Sequence, residues 1–433
     1  ADQRALAGLR GSVAGSMAGK AAEMVTLLLL ATAVPRALGP QDYGAFSLPL
    51  TVVTLGSLAL TLGGPAVLAR YVPSAAPDER PAVARAIGVR LAKGRGLQLA
   101  TIVLVVAVVL VSGRTTLAVS DVAVVLSALA LSVAATLLLQ VGLGLGRTGP
   151  WSARYPIQNA VLVVGAIGLH SVAGRGGALA ALLVSSAAGL GFAMLAMRPS
   201  WPALAAAPAV PVPAGAVRFG VLSAAGAALT QVTHRGGVVA VALLGGTTVE
   251  VGHTSLALGV ALGVTYAILQ AFTVSLPHLA AEGADTGEAV ARRLALGLLA
   301  ATSIAAVVGA VVLEDGVTVV FGTEFEPAVD AFRPALALVV LAPLSSLLVQ
   351  GAALRLRPEA SLHMGLAAIA AFLVTCAAAV PALGAAGGTL AAVAATTAAI
   401  AVGLVRLPRL ASPTLVAGTA LAAALVLLIG FRT

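Results

Sequence analysis

Thirteen apolar stretches decide what this chain can fold into: about 12–34, 45–69, 96–112, 121–145, 157–173, 177–197, 216–244, 251–275, 293–313, 331–353, 361–380, 384–405 and 413–430. A helix of about 20 residues crosses the ~30 Å hydrocarbon core of a bilayer, because each residue rises about 1.5 Å. Hydrophobic residues make up 60% of the 433 residues and charged residues 9%. A water-soluble globule has no interior large enough to hide that much apolar surface. The spans therefore predict an all-α polytopic membrane protein. The first is too long for a signal-peptide core, and no small-residue cleavage site follows it.

Sorting the basic residues by loop predicts an orientation. Eighteen of the 25 Lys and Arg fall on the side of the N-terminus, Arg70 to Arg95 and the pair Arg147 and Arg154 among them; five fall on the other side, and Lys20 and Arg235 lie within spans. Basic loops stay in the cytoplasm, so a multi-pass protein of the plasma membrane with a cytoplasmic N-terminus is expected. The acidic loop with Glu314, Asp315, Glu324, Glu326 and Asp330 then lies outside. With no initiator Met and an end just past the thirteenth span, the sequence leaves room for a fourteenth.

The net charge of +9 does not point to nucleic acid, because aromatics are 3% and the basic residues are scattered over short loops. A single cysteine, Cys376 in an apolar run, provides neither a disulfide framework nor a thiol metal site. His170, His234, His253, His278 and His363 lie on different spans or ends, without metal-ligand spacing. There is no P-loop for a nucleoside triphosphate. The reading is of a protein that is not an enzyme and uses no cofactor.

The two halves overlay at a shift of about 208 residues. Arg10 pairs with Arg218, Gly44 with Gly252, Ala82-Val-Ala-Arg85 with Ala289-Val-Ala-Arg292, and Gly176-Gly-Ala-Leu-Ala-Ala181 with Gly387-Gly-Thr-Leu-Ala-Ala392. A repeat of six spans begins both copies on the same side, a parallel duplication about the membrane normal. The expected organisation is an N-terminal six-helix lobe at 1–200, a Pro-rich cytoplasmic linker at 201–214, a C-terminal six-helix lobe at 215–406, and an additional helix at 407–433. Such a duplication places a substrate site between the lobes, with spans one and seven facing each other. Gly11, Gly15 and Gly19, and their mates Gly220, Ala224 and Ala228, make smooth stripes for close helix contact, either static packing or that facing.

Span one carries Lys20 and Glu23 near its middle, where a bare charge costs at least ~2.5 kcal/mol. Charges at such depth face a bundle interior or a wet cavity. Either the two neutralise each other at i and i+3, or they line that cavity as a functional site. Gln231 is the repeat mate of Glu23, so a polar group recurs at that depth in both halves.

Arg36-Ala-Leu-Gly-Pro-Gln-Asp-Tyr-Gly44, between the first two spans, resembles the R-x-L-G-x-x-x-Y-G signature of the polysaccharide and oligosaccharide flippases of the MOP superfamily, which also holds lipid II flippases and MATE multidrug exporters. Leu68-Ala-Arg-Tyr-Val-Pro73, Glu250-Val-Gly252, Leu276-Pro277 and Phe321-Gly322 support it. The resemblance implies two six-helix lobes in a V, alternating access, and a substrate of oligosaccharide on polyprenyl diphosphate, moved from the cytoplasmic to the outer leaflet. Membrane lipids, and a polysaccharide polymerase or glycosyltransferases, are the implied partners. Coupling to H+, Na+ or membrane potential is implied too. Two departures stand out: no acid follows Arg235, and His253 replaces a usual Tyr.

With that substrate, Lys20 is the candidate to offset the diphosphate charge. Glu23 is the candidate for ion coupling. Arg70 is either an entrance for diphosphate or a topological anchor, and Arg235 either a late diphosphate site or an arginine snorkelling to the outer interface. His234 reads as an interfacial polar residue. Gln231 and Gln270, with Gln140, Gln158, Gln350 and Asn159, either meet sugar hydroxyls or bond helices together. Arg36 and Asp42 are expected to close the outer turn on each other. The rival readings are a MATE-like cation-coupled exporter and a non-transporting scaffold for polysaccharide synthesis.

Overall fold

The computed structural model describes residues 2–61, 63–94, 118–281, 284–355, 357–410 and 412–430, with backbone alone for 2–18, 65, 66, 69, 222–224, 227, 270–287, 353, 354, 358 and 430. All regular structure among them is helical. The helices are α1 (Asp2–Leu60), α2 (Gly64–Tyr71), α3 (80–94), α4 (Val119–Gly144), α5 (Thr148–Met197), α6 (Trp201–Ala206), α7 (Ala216–Leu243), α8 (Thr248–Ala281), α9 (Ala284–Val311), α10 (Leu313–Phe321), α11 (Val329–Leu354), α12 (Pro358–Leu383), α13 (Ala385–Arg406) and α14 (Pro413–Gly430). Eight stretches of the described residues are long and apolar enough to cross a membrane. The expected third span, 96–112, lies outside the described residues.

Two of those stretches are long enough for two crossings each, and each is broken once. α1 breaks at Gly39 (φ 73°, ψ 167°), and α5 at Ala173–Gly174, where Gly174 takes φ 54°. Only glycine reaches such angles without a steric penalty. Expected spans one and two, and five and six, are thus separate helices joined directly at these breaks. Span two is interrupted again after Leu60, and Gly63, with φ 77°, caps the start of α2. Gly63-Gly64-Pro65 marks that break in the sequence.

The chain divides into two compact units: residues 1–34 with 52–224, and 35–51 with 225–433. In the first, the halves of α5 form an antiparallel hairpin. Gly177 lies on the carbonyl of Leu169, eight residues upstream, and a Cβ at Gly165 would be 3.2 Å from that of Ala181. In lipid there is little hydrophobic drive between helices, so contact through glycine and alanine supplies the packing attraction instead. The second unit repeats the device: Gly387 of α13 lies on the carbonyl of Ala379 of α12, again eight residues upstream, around the positive-φ Gly384. These contacts pair Gly177 with Gly387, one residue off the sequence match.

The core of the second unit is α11, whose apolar window is 78% buried, the highest share of the eight. The sequence signature docks into this unit. Gly44 lies against the carbonyl of Thr248 and beside Gly252 of α8, and Tyr43 meets Phe325 edge-on at 6.5 Å between ring centroids. Phe325 also meets His253 at 6.2 Å. Arg36 donates to the carbonyls of Val319 and Val320, both at 3.4 Å, at the C-terminal end of α10. A cation is favoured there by the exposed carbonyls and the helix dipole. The turn expected from Arg36 and Asp42 is in this respect a long-range dock.

Candidate functional site

In the first unit the Lys20 ammonium is 2.8 Å from Glu23 Oε2. The pair forms at the expected i, i+3 spacing, with Glu23 buried and Lys20 keeping 31% of its side-chain surface. Gly19, next to Lys20, abuts Ser152 of α5: a Cβ there would be 2.9 Å from both the Ser152 Cβ and its carbonyl oxygen. One turn on, Thr26 donates to the Glu23 carbonyl at 2.9 Å and accepts from Asn159 Nδ2 of α5 at 3.5 Å. α1 and α5 are therefore seamed by Gly19–Ser152 and Thr26–Asn159, with the charged pair beside the seam. Gly19 is a packing glycine within its own unit.

Arg70, at the end of α2, places its guanidinium carbon 4.6 Å from the ring centre of Phe219 in the first turn of α7. Stacking uses the flat face of the group and leaves its edge donors for an anion or water. The helices meet closely here, since a Cβ at Gly63 would be 2.6 Å from the Gly220 carbonyl.

Arg154 escaped the sequence reading, which counted it as a loop cation. It lies inside α5, 1% exposed. Its guanidinium donates to the Ser132 carbonyl at 3.0 Å, to Ser132 Oγ at 3.1 Å, and to Thr136 Oγ1. The available signal was Ser132 and Thr136 four apart on the facing helix. A buried cation held by neutral oxygens and the Tyr155 ring, 4.8 Å from its guanidinium carbon, with no anion among the described residues bonded to it, is a poor source of stability. Arg154→Met is therefore expected to leave the melting temperature unchanged or raised, measured by scanning fluorimetry of purified protein; a fall of several degrees would make Arg154 a structural brace.

In the second unit His234 is buried, with Nε2 3.3 Å from Thr396 Oγ1. Because Thr396 Oγ1 donates to the Ala392 carbonyl at 2.9 Å, it accepts from His234, which fixes the proton on Nε2. Thr265 and Ser345 complete the polar lining of a cavity of about 10 Å³, the size of one water. Arg235 is half-buried and within electrostatic reach of Tyr43. Gln231 is half-buried one turn before it. The side chain of Gln270 lies outside the described residues. A larger cleft of about 530 Å³, lined by Glu250, Asp330, Arg333 and apolar groups, contains none of the candidate substrate-binding or ion-coupling residues.

Helices broken at glycine, two all-helical units, and charged groups seated on α1 and α7 define the fold of a multi-pass membrane protein. Solved structures share it. The chain superposes on the lipid II flippase MurJ in an inward closed conformation with a TM-score of 0.64, at 10% identity, over 97% of this chain and 91% of that one. It superposes equally, at 0.64 and 15% identity, on an inward-facing multidrug resistance MATE transporter of the MOP superfamily, over 89% and 95%. A eukaryotic MATE transporter follows at 0.56 and 15% identity, over 96% and 98%. No protein-family model and no curated protein matches the sequence. At these identities the likeness is one of fold alone: the all-helical, multi-pass fold that these structures share.

Proposed function

We propose that this protein translocates a polyprenyl-diphosphate-linked oligosaccharide from the cytoplasmic to the outer leaflet by alternating access, for cell-surface polysaccharide synthesis. The observation that carries the reading is the Lys20–Glu23 pair, a cation held in reserve on a membrane helix of this fold. A diphosphate carries more charge than one carboxylate and competes for the ammonium. Glu23, relieved of Lys20, is then able to take up a proton, which links substrate entry to ion movement. Arg70 and Arg235 supply further donors for the diphosphate, and Gln231, His234 and Gln270 supply polar contacts to it or to the sugar. The N-terminus is cytoplasmic, and the polymerase or glycosyltransferases of the same route are the partners.

Lys20→Ala is expected to reduce export of lipid-linked sugar at least tenfold in whole cells, with polyprenyl-diphosphate species accumulating by mass spectrometry. Unchanged export with normal membrane levels of the variant sinks the role of Lys20. A second reading, a MATE-like exporter, draws on the equal superposition on a MATE transporter. Dye efflux from vesicles tells them apart, since cationic drugs call for acids and aromatics that this chain has in short supply.

A further inference from the structure

The Ala-Val-Ala-Arg tetrapeptide that recurs at 82–85 and 289–292 makes the same kind of contact in both units. Arg85 Nη1 donates to the carbonyl of Ala207 at 2.7 Å and, more weakly, to that of Ala205 at 3.4 Å. Arg292 Nη1 donates to the carbonyl of Arg409 at 2.7 Å. In each case the acceptor belongs to the segment that follows the last long helix of that half: the end of the short α6 and the residue after it, following α5, in one, and the turn after α13 in the other. The alanine before each arginine is buried, Ala84 at 0% and Ala291 at 1%. A small buried residue there brings the helix close enough for the arginine to reach. Each clamped segment also buries a leucine: Leu204 packs in a cluster with Ala84, Ile87 and Met197, and Leu410 is fully buried against Gly351.

We infer that Arg85 and Arg292 are repeat-related latches, each fixing the segment that leaves the end of its own half. A hydrogen bond from a cation to a carbonyl is stronger than a neutral one. The carbonyls it takes are ones that no helix satisfies. For the first unit the consequence concerns the Pro-rich linker. Its opening residues are pinned, and Val212 and Ala216 at its far end join the same apolar cluster. The linker is therefore a docked strap and not a free tether. The chain passes from one unit to the other only inside α1 and α7.

Spin labels test this in the full chain reconstituted in nanodiscs, on a Cys376→Ala background. One label sits at Ala206→Cys, between the two acceptors of Arg85; the other sits at Arg409→Cys, whose side chain is exposed. Arg85→Gln is expected to at least double the mobile fraction at 206 and leave 409 unchanged. Arg292→Gln should do the reverse. Arg85→Lys, keeping one donor group, should loosen 206 about half as much, and is read in its place if the Gln variant is not recovered. No change at the matching label, or loosening of both labels by either substitution, overturns the latch.

Discussion

Gly44→Val is expected to remove most folded protein from the membrane, or to leave a remnant whose melting temperature falls by many degrees. A Cβ at Gly44 would run into the carbonyl of Thr248 and lie 3.2 Å from the Gly252 nitrogen. Both obstacles are backbone, so neither can rotate away as a side chain would. Overpacking against movable neighbours costs ~1–3 kcal/mol, and a clash with fixed backbone lies at or above the top of that range. Gly259→Ala is the control. Nothing lies within 4 Å of its added methyl group, and alanine in a helix is favoured over glycine by about 0.5–1 kcal/mol. Membrane levels and fluorescence-detected size exclusion after heating report both. Wild-type behaviour of Gly44→Val would mean that the signature segment does not seat on α8 as described.

The second large effect is expected at Glu288. This buried carboxylate on α9 receives two donors from Arg355, just past the end of α11, Nη2 to Oε2 at 2.8 Å and Nε to Oε1. Glu288→Ala removes the anion and leaves a guanidinium whose site was built around it. Losing one member of a buried pair costs ~3–5 kcal/mol, and the 22% exposure of Arg355 puts this case near the lower end. Replacing both, Glu288→Leu with Arg355→Met, should restore most of the loss, because neither charge then has to be desolvated. Thermal melts of the two single variants and the double variant measure the coupling. Additive losses would show that the two residues act separately.

The membrane spans and their breaks illustrate what a sequence of this kind discloses. Twelve of the thirteen expected spans fall on described helix, because crossing a bilayer needs only a local run of apolar residues. The Lys20–Glu23 pair was equally legible, since i, i+3 geometry follows from the helix itself. The halves of α1 and α5 were also separable, their boundaries marked by Gly39 and Gly174. The break before Gly64 was written there too, in Gly63-Gly64-Pro65, but hydropathy alone runs straight through it.

The sequence alone pointed to the class of molecule, to twelve spans that fall on described helix, to a repeat within the chain, and to the charges that have to be accounted for. Tertiary structure alone decided which neighbour answers each polar group: Ser132 and Thr136 for Arg154, Thr396 for His234, the α10 carbonyls for Arg36, and Ala207 for Arg85. The physical reason is the uniformity of these helices. Apolar on every side, they show no amphipathic face to say which side turns inward. Their contacts are made by glycine and alanine, which fit almost anywhere until a specific backbone comes within reach.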